Sequence, residues 1–208
     1  VFFYLIYSSV YFDISRKELE DKYATGVSQF LELKDGARIH FRDEGNKNRP
    51  TIFLLHGFNS SLFGYEKMIP FLSEEFRLIS LDFPAFGLTG AVPSKDYTIE
   101  NYIKVVNQLK SHLSVDKFYI VGHSMGGHVS WRYTLEHPED IMGLILIASG
   151  GIGTSEDLEN FKDSDDAPFV WKILNSKMAG QLLLYFTPKF FAEQGLKTSV
   201  VDQDLVTN

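Results

Sequence analysis

The 208 residues suit one large domain, or one domain with a modest insertion, at about 100 to 200 residues per domain. Hydrophobic residues at 44% and charged residues at 23% are ordinary for a soluble globular chain and argue against general disorder. A formal charge of −7 with no basic block argues against a nucleic-acid partner, and the absence of Cys removes disulfides, Cys-ligated zinc, iron–sulfur clusters and thiol nucleophiles.

The first twelve residues, VFFYLIYSSVYF, contain no charge, and residues 1–14 are read as the remnant of a membrane anchor or signal segment. A buried or amphipathic first helix is the alternative. The polar run from Ser15 to Lys22 then follows as a juxtamembrane segment would. From residue 27 short β-rich runs alternate with helical stretches, an α/β signature. Val27–Leu33 and Arg38–Asp43 flank Lys34-Asp35-Gly36, which predicts an antiparallel hairpin. Thr51–Leu55 and Arg77–Leu81 read as fully buried parallel strands with a helix over Phe63–Ser73 between them. Thr98 or Asp96 caps a helix over Ile99–His112; Lys117–Val121 is the next strand, Met125–Glu136 the next helix and Ile141–Ala148 a further buried strand. Beyond Gly150, Gly151 and Gly153 the pattern turns acidic and then helical, around Phe169–Tyr185 and Pro188–Gly195. Residues 15–153 are thus expected to form the core, a mostly parallel sheet opened by antiparallel strands, and residues 154–208 a helical cap.

The strand KFYIV runs into Gly122-His123-Ser124-Met125-Gly126-Gly127 and a helix, which fits G-x-S-x-G in strand-turn-helix context. A Ser on so sharp a turn leaves no room for side chains two residues before and after it, hence Gly122 and Gly126. The turn sets the Met125 N–H at a helix N-terminus, where partial positive charge favours a developing oxyanion. The strand TIFLL ends in His56-Gly57-Phe58, and the loop after it offers the Phe58 N–H as second donor. Gly57 allows close backbone approach, and Gly57 and His123 flank the site as substrate contacts. His56 is read as orienting the loop rather than as a base, and Asp82 as a carboxylate fixing the turn DFPAFGLTG rather than as a catalytic acid. His123 and His128 straddle the turn and should diverge, so no metal site is expected; Gly150 to Gly153 lack the Lys-Ser/Thr of a phosphate loop. No cofactor is expected either.

These motifs give the run from Lys17 to Ser149 a resemblance to the α/β-hydrolase superfamily, and within it to the serine esterase and lipase-like bacterial group with an N-terminal membrane anchor. The residues responsible are KYA at Lys22–Ala24, His40-Phe41-Arg42-Asp43-Glu44-Gly45, HGFNSS, LDFPAFGLTG, DYTIENY from Asp96 and GHSMGG. The resemblance implies Ser124 as nucleophile, Phe58 and Met125 as oxyanion donors, a small-molecule ester as substrate, and a membrane-anchored or exported protein, with a cytoplasmic one as the alternative. The Ser disfavours branches that use Asp there, while a C–C bond hydrolase, a haloperoxidase-like enzyme or a non-catalytic binding scaffold remain alternatives. Ala85 departs from the superfamily's usual Gly, a change expected to matter little.

In this fold the acid and the His follow the Ser in the chain. Only His128 and His137 do so here, both on the helix after the turn and neither suited to act as base. Asp157, Asp202 and Asp204 read as surface residues. The acid and base of the triad are therefore expected beyond Asn208, the chain alone to be nearly inactive, and the strand Ile141–Ala148 to present an apolar edge.

Overall fold

The computed structural model describes residues 14–151. The expected anchor at 1–14, except Ile14, and the expected cap at 154–208, with its helical segments and with Asp157, Asp202 and Asp204, lie outside them. The described elements are α1 (Arg16–Tyr23), β1 (Ser28–Glu32), β2 (Arg38–Gly45), β3 (Thr51–Leu55), α2 (Ile69–Leu72), β4 (Arg77–Leu81), α3 (Ile99–His112), β5 (Phe118–His123), α4 (Met125–Glu136) and β6 (Ile141–Ile147). They build a six-stranded sheet in the order β1-β2-β4-β3-β5-β6. β1 and β2 run antiparallel, β2 meets β4 antiparallel, and β4, β3, β5 and β6 are mutually parallel.

Alternation along the central strands sends side chains to two faces. Phe53, Leu55, Ile79, Leu81, Phe118 and Ile120 face a core completed by Val105, Val106 and Leu109 of α3 and by Val129 and Tyr133 of α4. Ile52, Leu54, Leu78 and Val121 face the other way, onto Tyr65, Ile69 and Leu72. Cover on both faces explains why these strands are apolar runs with no polar alternation.

One expectation changes. The helix over Phe63–Ser73 is a 3₁₀ turn at Leu62–Tyr65 followed by the one-turn α2, because Pro70 has no N–H to continue a single ladder and is tolerated at a helix start. The polar run after Ser15 is a helix, α1, its first turn capped by the Ser15 hydroxyl accepting from the Glu18 N–H. Arg16 of α1 donates to the Thr89 carbonyl, and Glu20 pairs with Arg38 of β2. Thr98 caps α3, its hydroxyl accepting from Asn101 N–H. β6 is an edge among the described residues, and Met142, Ile145 and Ile147 on it are exposed.

Candidate active site

Ser124 stands between β5 and α4 with φ 52° and ψ −114°, a left-handed conformation that costs a non-glycine residue about 1 to 3 kcal/mol. Its neighbours hold it there. The Ser124 N–H donates to Ile147 O (3.0 Å), and its carbonyl accepts from His128 N–H in the first turn of α4 (3.1 Å) and from Gly150 N–H (3.0 Å). The glycine requirement is steric and can be stated by atom. A Cβ at Gly122 would strike Gly126 O and Ser130 Oγ; one at Gly126 would strike Leu55 O and stand 2.6 Å from His56 O. The Ser130 hydroxyl donates to that Gly126 carbonyl at 2.7 Å.

The loop after β3 meets this turn. A Cβ at Gly57 would stand 2.8 Å from His123 Nδ1 and 3.2 Å from Ser124 Cβ, so the Gly57 backbone lies directly against the serine. Ser124 is half-buried and His123 exposed. The Phe58 side chain is 74% exposed and packs edge-to-face on Phe86 (5.5 Å between centroids). Phe58 N–H has no acceptor among the described residues. Met125 opens α4, where the first N–H groups lack intrahelical acceptors. Of the residues that sequence reading assigned to the site, the structure sets Gly57 against Ser124 and His123, with Phe58 next to Gly57 and Met125 next to Ser124 in the chain.

His56 is buried. Its Nδ1–H donates to Gly57 O (2.7 Å) and its Nε2 accepts from Phe83 N–H (3.0 Å), so the neutral ring has one tautomer. Burial holds it below the usual imidazole range, outweighing the upward pulls of the Gly57 hydrogen bond and of Asp82. Asp82 is fully buried at the end of β4. Its Oδ1 accepts from Leu62 N–H (2.8 Å) and its Oδ2 from Leu88 N–H (2.8 Å) and His40 Nδ1–H (2.7 Å), which fixes the 82–90 loop as expected. Gly87 crosses that carboxylate so closely that any Cβ would strike it.

Sequence reading gave His40 no role beyond its place in the His40–Gly45 string. It lies on β2, shortly after the hairpin turn, and only the antiparallel register of β2 on β4, with Phe41 opposite Leu81, brings it to Asp82. Its Nε2 accepts from Ser28 Oγ–H at 2.9 Å, which completes a Ser-His-Asp chain. That chain is structural. Ser28 Oγ also accepts from Thr25 N–H, Phe30 covers the imidazole (5.0 Å), and the other two carboxylate bonds, from Leu62 and Leu88 N–H, order loops. Ala85 is a correction: it sits at φ 77°, so the exchange of Gly for Ala there imposes real backbone strain.

Among the described residues no histidine bonds the Ser124 hydroxyl. His40 and His56 are engaged elsewhere, His128 stacks on Trp131 (5.1 Å, 11° between planes), and His137 packs on Tyr133. No group of three carboxylates or imidazoles that could hold a metal occurs among the described residues.

The alpha/beta hydrolase fold family matches residues 50–193. The chain belongs to that family. Among curated members it is 37% identical over 117 residues to an uncharacterized hydrolase, YugF, of Bacillus subtilis, covering 56% of this chain and 43% of the relative. It is 28% identical over 165 residues to the monoacylglycerol lipase ABHD6 of Bos taurus, covering 74% of this chain and 49% of that protein. A membrane phospholipase A described as a bacterial virulence factor superposes with a TM-score of 0.59 at 25% identity, over 76% of this chain and 50% of that structure. The chain spans less than half the length of the curated relatives YugF and ABHD6. No helix among the described residues is long and apolar enough to cross a membrane.

Proposed function

We propose that this alpha/beta hydrolase is a serine hydrolase of carboxylic esters, esterase- or lipase-like, that works through an acyl-enzyme on Ser124. The observation supporting it most is the conjunction at one turn: a serine in a strained left-handed conformation at a helix N-terminus, with the Gly57 backbone packed against its Cβ. In this reading Ser124 Oγ attacks the ester carbonyl and passes its proton to a histidine outside the described residues. The Phe58 and Met125 N–H groups hold the tetrahedral oxyanion, alcohol departs, and water then releases the acid. Gly57 and His123 border the substrate. No cofactor enters the reaction. The relatives named for monoacylglycerol lipase and phospholipase A activity support a lipidic ester, and the apolar residues 1–12 support a site held near a membrane.

The test uses protein made from the complete reading frame. A fluorophosphonate probe is expected to label it once, at Ser124, with labelling abolished by Ser124→Ala, and nitrophenyl esters and a monoacylglycerol are expected to be turned over. A well-folded protein that neither labels nor turns over esters overturns the reading in favour of a binding scaffold. Labelling without turnover of any ester overturns the substrate class and favours a C–C bond hydrolase or a haloperoxidase-like enzyme.

A further inference from the structure

The backbone amide offered to the oxyanion belongs to a peptide unit whose other end is held by a side chain. The Gly57–Phe58 bond is trans, so the Gly57 carbonyl and the Phe58 N–H point in opposite directions. The carbonyl is fixed by His56 Nδ1–H at 2.7 Å, and His56 is 1% exposed. Anchored at the buried ring, the oxygen faces inward and the Phe58 N–H faces away from His56, while Ser124 packs against the same Gly57. The imidazole cannot rotate to release it. Its Nε2 is occupied by Phe83 N–H at 3.0 Å, and the ring is wedged between Phe83 (5.2 Å) and Phe86 (5.4 Å). A flipped ring or the other tautomer would set donor against donor at Phe83 and leave the Gly57 carbonyl unpartnered.

Resting on the serine-hydrolase reading above, we infer that His56 is a positioning residue that sets the plane of the Gly57–Phe58 peptide, and so aims the Phe58 N–H, through a neutral Nδ1–H tautomer locked by Phe83. The two ring nitrogens have separable duties. Nδ1 serves catalysis by holding the peptide, while Nε2 serves stability by satisfying a buried N–H at the head of the Asp82 loop. The same ring therefore joins the oxyanion loop to the network in which Asp82 orders residues 62 and 88.

Two substitutions separate the duties. In His56→Asn the amide nitrogen occupies the place of Nδ1 and can still donate to Gly57 O, but nothing reaches Phe83. In His56→Gln the side-chain amide reaches the place of Nε2 and can accept from Phe83 N–H, but the Gly57 carbonyl is released. Loss of one oxyanion donor lowers kcat by about 10²- to 10³-fold, so a misaimed one in His56→Gln is expected to lower kcat roughly tenfold to a hundredfold with KM little changed. His56→Asn is expected to melt earlier than His56→Gln yet to keep kcat within about threefold of the parent. Imidazole ¹⁵N NMR of the parent protein is expected to find the proton on Nδ1. Rates that fall in step with melting temperature in both variants, a loss seen in KM alone, or a proton on Nε2 overturn the inference while leaving Ser124 its role. Failure of the parent protein to label at Ser124 overturns the serine-hydrolase reading and this inference with it.

Discussion

Replacing Asp82 by Asn separates the two roles a carboxylate at the end of β4 could have. The side chain is fully buried, with Oδ2 accepting from Leu88 N–H and His40 Nδ1–H and Oδ1 from Leu62 N–H. Asn retains one acceptor oxygen. Set at Oδ2 it keeps two of the three bonds and turns its amide nitrogen against Leu62 N–H, donor facing donor. One buried donor left unsatisfied costs about 1 to 3 kcal/mol, and loss of charge from the two remaining bonds about 1 kcal/mol more, a total of roughly 2 to 4 kcal/mol. At about 2 to 4 °C per kcal/mol for a chain of this size, the melting temperature falls by roughly 5 to 15 °C. The assay is thermal unfolding by circular dichroism beside the rate of fluorophosphonate labelling at Ser124, measured well below the variant's melting point. Labelling of the folded variant is expected to stay within about tenfold of the parent, since Asp82 orders loops and touches no reacting atom. An unchanged melting temperature together with abolished labelling would refute the structural account and make Asp82 a participant in the chemistry.

Two other outcomes follow from local geometry. Ala85→Gly removes a side chain from φ 77°; relief of about 1 to 2 kcal/mol, less about 0.4 to 1 kcal/mol of added freedom in the unfolded chain, leaves a gain of roughly 0 to 1.6 kcal/mol and a melting temperature higher by up to about 6 °C. A lower melting temperature would show that Ala85 gains more from packing than it loses to strain. Arg77→Met tests a half-buried pair: Arg77 Nε and Nη2 donate to the two oxygens of Asp43 at 2.9 and 2.8 Å. Burial alone would raise the Asp43 carboxyl, but the hydrogen bonds from Arg77 and then Lys47 bring it below its usual value. A carboxylate lowered in the folded state stabilises fully above its unfolded value, near pH 4, and loses that contribution as pH falls through its folded value. Arg77→Met is therefore expected to depress the melting temperature strongly at pH 7 and weakly near pH 2 to 3. Equal losses at both would refute the linkage.

The candidate site was legible because each of its residues follows from local rules. A strand that stops at Gly-x-Ser-x-Gly and restarts as a helix has few ways to place its serine, and the steric demand at Gly122 and Gly126 is set by residues within a few positions or by the neighbouring strand end. The buried strands announced themselves as apolar runs, and of Thr98 and Asp96, the two caps that sequence offers for α3, the structure uses Thr98. Helix α1 was missed as a helix because its polar residues bury nothing; what recommends it is a Ser15 cap and contacts to Thr89 and Arg38 that lie far away in the chain.

Sequence by itself determined the order and type of the central elements, the turn that exposes Ser124, and the membership that its motifs announce, since these depend on periodicity, glycine sterics and capping over a few residues. Tertiary structure alone decided which histidine meets which carboxylate. His40 reaches Asp82 only through the register of β2 on β4, and His56 reaches Phe83 because β3 and β4 end side by side. Hydrogen bonds between residues 27 or 42 positions apart are selected by sheet order and register, which pairwise strand packing sets and no local stretch of sequence encodes.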